Sequence, residues 1–295
     1  MNKPIESTHL GKPTDYPCAY APQLLVAVPR DVNRRQFQIE ANRLPFIGVD
    51  AWHAFEAGFL TDNGLPVVGV LKLIYPCTSP SLVESKSLKL YLNSFNMEKL
   101  GPTPQAAATQ FVSQVRTDLS KLLNTEVDAV FFAEDGGDIT DLDGYQLIDT
   151  MPQMQQVVFS THTESPALLT AQETSQSGSQ TIRVCSHLLR SNCKITHQPD
   201  WGSAFITMTG STLPTLTSLL QYLVSFRNEH HFHEEVCEMI YKRLWDIFAP
   251  DALCVACIYT RRGGIDICPV RASAPHMLLK HLTSPKVLTR KLHRQ

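Results

Sequence analysis

Two stretches of this chain repeat one another at a fixed distance, and that repeat restricts the folds open to it. "LYLNSFN" (90–96) is echoed by "QYLVSFRN" (221–228). Tyr91, Leu92, Ser94 and Phe95 correspond to Tyr222, Leu223, Ser225 and Phe226 at a constant offset of 131. A helical pattern follows each copy. In the first half it is "TPQAAATQFVSQVRTDLSKLL", with Phe111, Val115, Leu119 and Leu122 on one stripe; in the second it is "FHEEVCEMIYKRLWDIF", with Val236, Ile240, Leu244 and Ile247 spaced the same way. Each helix leads to a strand pattern and a glycine pair, "DAVFFAEDGGDI" and "LCVACIYTRRGGIDI". A shared order of motifs implies duplication of one unit. Strand patterns such as "TIRVCSHLL" and "SAFITMTG" cluster, and helices follow in pairs without βαβ alternation. The expectation is an α+β fold in which each half is an antiparallel sheet with helices on one face.

Residues 170–180, "TAQETSQSGSQ", have no large apolar side chain and no periodicity, so they read as a linker. The expected organisation is an extension over 1–22, a domain over 23–169, the linker 170–180 and a second domain over 181–295. The 295 residues suffice for two domains, and 43% hydrophobic with 18% charged residues suits buried cores. With 26 basic and 28 acidic residues the net charge is -2, so no general attraction to nucleic acid or membrane is expected. No segment reaches the ~18 apolar residues of a membrane span, and the N-terminus lacks the apolar stretch of a secretory signal. A cytoplasmic location is expected, with the eight cysteines as reduced thiols rather than a disulfide framework. The basic last fifteen residues, "HLTSPKVLTRKLHRQ", read as a solvated tail.

The copies differ where chemistry could sit. Only the second half holds "SNCKITHQPDWGS", with Cys193 and Asp200 seven residues apart, and only it has "RRGG" where the first half has "EDGG". Cys193 lies among Ser191, Asn192 and Lys194, a polar setting. Local composition leaves open a buried thiol, a metal ligand or a nucleophile, since a free cysteine near pH ~8.5 is only slightly ionised at neutral pH. In an extended chain Asp200 would be up to ~23 Å away, so a turn must bring it back, and Pro199 is compatible with one. "NEHHFHEE" (228–235) is rich in metal-binding residue types, but the two-histidine spacing of a helical zinc site is absent. Cys254 and Cys257, three apart on a strand, should point to opposite faces. Glu234, in the first turn of a helix, is either a solvated helix-start residue or an acceptor for two parallel hydrogen bonds from a guanine-like edge. Lys86, Lys89, Arg261 and Arg262 lie beside small residues, which suits a phosphate-bearing ligand. Neither a Rossmann fingerprint nor a P-loop is present.

"ESKSLKLY" (84–91), "SNCKITHQPDWGS", "YLVSFRNEHHFHEE" and "YTRRGGIDI" together resemble the motifs of the NADPH-dependent 7-cyano-7-deazaguanine reductases, the nitrile reductases of queuosine biosynthesis, in their long two-module form. The resemblance covers nearly the whole chain and is weakest over 152–180. It implies two tandem tunnelling-fold (T-fold) domains, a homodimer, no direct nucleic-acid or membrane binding, and two NADPH consumed per turnover without metal. It also implies roles: Cys193 as nucleophile, Asp200 as proton donor or relay and His233 beside the reacting group. Val83, Glu84, Ser85, His233 and Glu234 would form the base pocket, and Ser85, Lys86, Arg262 and Gly263 would hold NADPH. Two alternatives stand beside this one: a zinc-dependent pterin or purine enzyme of the tunnelling fold, and a non-catalytic purine-binding module.

Overall fold

The computed structural model describes residues 16–17, 19–134, 142–172, 178–288 and 291–295. A short strand β1 (Ala27–Pro29) precedes α1 (Asp31–Gln36). The hairpin β2 (Ile47–Leu60) and β3 (Pro66–Pro76) follows, then β4 (Ser81–Val83), α2 (Ser85–Asn93), α3 (Pro104–Leu123) and β5 (Asp128–Phe132). The second half runs β6 (Gln146–Leu147), β7 (Gln180–Ser186), β8 (Arg190–Asn192), β9 (Pro199–Gly210), α4 (Leu216–Ser225), α5 (His233–Phe248), β10 (Ala252–Tyr259), β11 (Ile265–Ala272) and the short α6 (Lys280–Thr283).

The two halves share one mixed sheet, ordered β5-β3-β2-β11-β10-β9-β7-β6, with β8 on β9 and a separate β1–β4 ribbon. Every pairing among the described strands is antiparallel except β6 with β7. The seam is β2 against β11, from Ala54 opposite Ile265 to Ile47 opposite Ala272. α2 and α3 cover the first half of one face, α4 and α5 the second, giving two cores.

The duplication is visible in three dimensions. The repeated motifs close α2 and α4. Tyr91 and Tyr222 are fully buried and donate to Asp118 (2.6 Å) and Glu164 (3.0 Å). Ser94 and Ser225 donate back to the carbonyls of those tyrosines at 2.6 and 2.7 Å. α3 and α5 both end at a left-handed residue, Asn124 (φ 49°) and Ala249 (φ 42°). The stripes Phe111, Val115, Leu119 and Val236, Ile240, Leu244 are buried as expected. The fourth member of each is Leu123 and Phe248, not Leu122 and Ile247. Each stripe thus keeps its four-residue spacing to the last helical residue before the left-handed cap. Burying each such side chain contributes about 1.5–3 kcal/mol, which makes α5 a firm support for whatever its first turn carries.

β10 alternates as a strand covered on both sides must. Leu253, Val255, Cys257 and Tyr259 belong to the helix-side core, and Cys254, Ala256 and Ile258 to a core on the other face. Cys254 and Cys257 thus point oppositely, as their spacing predicts. That other face is covered by the C-terminal segment, including Leu279 and Leu282. The solvated tail is therefore corrected: the fully buried Lys72 donates to the carbonyls of His281 (2.6 Å), Ser284 (2.9 Å) and Val287 (2.6 Å), and Lys291 reaches the buried Asp266 at 3.0 Å. A buried ammonium needs acceptors, and the tail backbone supplies them. Of the linker 170–180, residues 173–177 lie outside the described residues, as does most of "EDGG". No described helix is long and apolar enough to cross a membrane.

Candidate active site

Four segments converge on a cavity of about 410 Å³ between the halves, a volume typical of small-molecule sites. They are the entry to α2 (Val83, Ser85, Lys86, Lys89), the β8–β9 hairpin (Cys193, Gln198, Asp200), the start of α5 (His231, His233, Glu234) and the β10–β11 turn (Arg262, Gly263). Trp52, Ile265 and Ile267 supply apolar wall.

The hairpin brings Cys193 and Asp200 together, as the sequence required. Ser191 lies opposite Asp200 and Asn192 opposite Pro199. The Cys193 N–H donates to the Gln198 carbonyl (2.8 Å) and the His197 N–H to the Cys193 carbonyl (3.0 Å), with His197 left-handed at φ 57°. The Asn192 N–H donates to the Glu229 carbonyl (2.7 Å) and the His231 N–H to the Asn192 carbonyl (3.1 Å), which stitches the Cys193 loop to the segment before α5. Lys194 does not turn to the thiol; its ammonium sits on Glu235 at 3.1 Å.

Asp200 is 3% exposed and flanked by a guanidinium and an imidazole. Arg262 bonds one carboxylate oxygen, and the His233 Nε2 lies 3.4 Å from the other. Burial pushes the carboxyl up, but the His233 hydrogen bond and charge and the Arg262 guanidinium outweigh it and hold the group below the ordinary carboxylate range. Asp200 is thus an anion in this state. His233 stacks flat on Tyr259 with ring centroids 3.8 Å apart and planes at 9°, so its ring is held edge-on to Asp200. Glu234 is 2% exposed, and its Oε1 has no hydrogen-bond partner. Burial first, and the nearby Asp50 second, push its carboxyl up to about 8, while Arg30 and Arg271 oppose the rise.

The first turn of α2 carries the "ESKS" residues. Glu84 is the exception among the expected site residues, since its side chain does not line the cavity. Its carboxylate caps α2, accepting from the N–H groups of Lys86 (2.9 Å) and Ser87 (2.7 Å), a task ordinarily given to shorter side chains. This aims the positive end of α2, with Ser85 and Lys86, at the cavity. Across from it, Gly263 and Gly264 (φ 56° and 79°) make the two-residue turn between β10 and β11, a backbone shape that demands positive φ at both positions.

The histidine-rich segment disperses instead of converging. His230 meets His197 (2.9 Å), His231 bonds Glu229 (3.0 Å) and His233 faces Asp200. Among the described residues one set of metal-ligating types lies together, His53, Asp266 and Cys268, all fully buried and none lining the cavity. Asp266 there bonds His53 at 2.6 Å and Lys291 at 3.0 Å.

Comparison with known proteins points one way. Residues 16–131 match the family described as "Nitrile reductase, 7-cyano-7-deazaguanine-reductase N-term", and residues 199–276 match "QueF-like protein". The NADPH-dependent 7-cyano-7-deazaguanine reductase of Delftia acidovorans is 39% identical over 295 residues, covering 97% of this chain and 100% of that one. The proteins of the same name from Acinetobacter baumannii and Colwellia psychrerythraea are 37% and 40% identical over 91% and 90% of this chain and 94% and 91% of theirs. The chain belongs to the NADPH-dependent 7-cyano-7-deazaguanine reductase family. Within this reductase, three features escaped the sequence: the Arg262–Asp200 pair, the Tyr259 platform under His233, and the buried charges beside Glu234. Only Tyr259 left a local signal, three residues before Arg262 in "YTRRGG"; the others join residues far apart in the chain.

Proposed function

We propose that this chain reduces the nitrile of 7-cyano-7-deazaguanine to the aminomethyl group of 7-aminomethyl-7-deazaguanine with NADPH, through a covalent thioimidate on Cys193, as a step toward the queuosine modification of tRNA. The observation that carries the reading is one cavity holding a cysteine, a carboxylate–imidazole pair and a buried carboxylate with an unpartnered oxygen. Glu234 is the natural acceptor for the two adjacent N–H groups of a guanine-like edge, because two parallel bonds to an anion fix both position and identity. Val83, Ser85 and His233 complete that pocket, and Glu84 serves it indirectly, by capping α2.

The thiolate of Cys193 adds to the nitrile carbon, and the nitrogen takes a proton from the Asp200–His233 pair, leaving a C–S bond and a C=N–H group. NADPH, when bound, supplies hydride to this carbon. Cys193 then leaves as the C–S bond breaks and an imine forms. A second hydride and proton give the amine, so two NADPH are consumed. The residues present fit the cofactor: Lys86, Lys89 and Arg262 set three cations at the cavity, and Gly263 adds no side chain to obstruct a diphosphate. Arg262 serves both partners in this reading. When its guanidinium turns to a phosphate, Asp200 loses a counter-charge and becomes a better proton carrier.

The two halves are read as tandem tunnelling-fold units, supported by the repeat and by the single sheet they share, and two copies are proposed to assemble as a homodimer in the cytoplasm. The test is NADPH absorbance followed on addition of 7-cyano-7-deazaguanine. Two NADPH should be oxidised per nitrile, with EDTA without effect. A ratio of one, or activity lost on chelation, refutes the mechanism.

A further inference from the structure

On the face of the sheet away from the cavity lies a cluster that the reaction does not use. Ile265 and Ile267 on β11 line the cavity and belong to the helix-side core. Asp266 and Cys268 alternate with them and point to the other face, where Cys268 joins the core under the C-terminal segment. β2 sets His53 directly opposite Asp266, which puts both side chains on that face. His53, Asp266 and Cys268 are fully buried, and their donor atoms all lie within 4.8 Å of one another. The Asp266 Oδ1 is the hub, 2.6 Å from the His53 Nδ1 and 3.7 Å from the Cys268 Sγ. An imidazole, a carboxylate and a thiol are the donor set of a zinc-class ion, whose bonds of about 2.0–2.3 Å set tetrahedral ligand atoms roughly 3.3–3.8 Å apart. The sulfur–oxygen distance already has that span, and the imidazole needs to retreat by roughly 0.7 Å. A cation already stands at this place. Lys291 reaches the Asp266 Oδ2 at 3.0 Å, and the Gln295 amide nitrogen lies 3.2 Å from the same oxygen and 3.6 Å from the Cys268 Sγ. Asp266 is wholly enclosed, but the Lys291 side chain is 21% exposed, so the lysine marks a path from solvent to the cluster.

We propose that His53, Asp266 and Cys268 form a binding site for a zinc-class divalent ion, which takes the place of Lys291. Without the ion, one ammonium offsets one carboxylate. On binding, the Cys268 S–H bond breaks, its proton passes to solvent, and sulfur, the His53 nitrogen and the Asp266 oxygen each bond the metal. Lys291 withdraws to solvent as a cation, and water fills the fourth position. No electron is transferred. Two positive charges then meet one carboxylate and one thiolate. Both states of the set are neutral, as burial demands, whereas ion and lysine together would leave one positive charge over. Lys72, opposite His53 on β3, holds the carbonyls of His281, Ser284 and Val287 in either state and does not alter the comparison. The ion therefore removes the Lys291 tie of the C-terminal segment and leaves those of Lys72. The site lies across the sheet from the catalytic cavity and supplies no group to the proposed reduction, so the expected indifference of that reaction to EDTA stands.

The test uses the full chain carrying Cys193→Ala, so that the cavity thiol plays no part, with Co²⁺ alone as the probe. One Co²⁺ per chain should bind, giving the strong visible absorption of a tetrahedral site and a thiolate-to-cobalt charge-transfer band in the near ultraviolet. Added Zn²⁺ should erase both. Cys268→Ser should abolish the charge-transfer band. His53→Gln should weaken Co²⁺ binding at least about tenfold, since loss of an outer partner alone costs that much, and it serves if Cys268→Ser does not fold. Lys291→Ala, which removes the competing cation, should tighten Co²⁺ by about fivefold. No charge-transfer band in the parent, a band that survives Cys268→Ser, an affinity unchanged in His53→Gln, or an affinity unchanged or weakened in Lys291→Ala overturns the proposal.

Discussion

Raising the pH should strengthen binding of the base, and the size of the effect follows from where Glu234 sits. Burial, with Asp50, pushes its carboxyl up to about 8. At pH 7 the neutral form then outweighs the anion by about ten to one, and making the anion costs on the order of 1 kcal/mol. The two donors of a guanine-like edge need that anion. Binding at pH 7 should therefore release close to one proton, and Kd should fall about tenfold between pH 7 and 9, with most of the change below pH 8. The assay is titration calorimetry on Cys193→Ala, which binds without reacting, in two buffers of different ionisation enthalpy. Heats independent of the buffer, with a constant Kd from pH 6 to 9, would refute the placement of Glu234 as the anchor. The same group has a stability signature. Its folded pKa lies above the unfolded value near 4.5, so the stability it contributes is complete below about 4.5 and is lost as pH rises through about 8. Relative to wild type, Glu234→Gln should gain stability across that window, by a few kcal/mol at most.

Intact mass after adding 7-cyano-7-deazaguanine without NADPH should show one adduct of the whole nitrile on Cys193, and none in Cys193→Ala; an adduct on Cys185, whose thiol burial pushes up to about 11, would show that the wrong nucleophile is named. Asp200→Asn should bind the base but form the adduct at least about a hundredfold more slowly, measured by single-turnover mass spectrometry, because an amide breaks the carboxylate–imidazole pair that delivers the proton. Lys72→Met should leave three carbonyls of the C-terminal segment without a donor and cost about 2–4 kcal/mol in urea unfolding, with earlier proteolysis within 280–295; an unchanged midpoint counts against a docked tail.

The elements legible in the sequence were those written in a local period. The stripes of α3 and α5, the alternation that splits Cys254 from Cys257, and the turn between Cys193 and Asp200 all depend on neighbours within a few residues. The docked tail was not legible, because its basic residues look solvated until the buried Lys72 and Asp266 are seen to need partners. Nor was the network under Glu234. Asp50 is brought to Arg271 by the β2–β11 register, which sets Asp50 opposite Pro269, and no pattern within either strand announces that. Glu84 shows the limit of a motif, which marked the residue but not that its carboxylate would cap a helix.

Duplication also explains why the described residues form one such cavity rather than two. α3 begins in the ordinary way, with Thr103 capping the N–H of Ala106 at 3.2 Å and Pro104 in the first turn, and Pro104, Gln105 and Ala106 are all exposed. α5 begins without a side chain of that kind at its cap; Glu235 folds back onto the N–H of Phe232 at 3.0 Å instead. That leaves His233 and Glu234 at the first two helical positions, turned inward against β10 and the buried arginines. The first half gave up nothing in the exchange, since its copy of the earlier helix, α2, points its positive end at the same cavity. One half thus presents a helix start suited to an anion, and the other a carboxylate suited to a hydrogen-bond-donating base. On the proposed function, a reaction between a phosphate-bearing hydride donor and a guanine-like acceptor would need both ends, and the cavity between the copies is where the two meet.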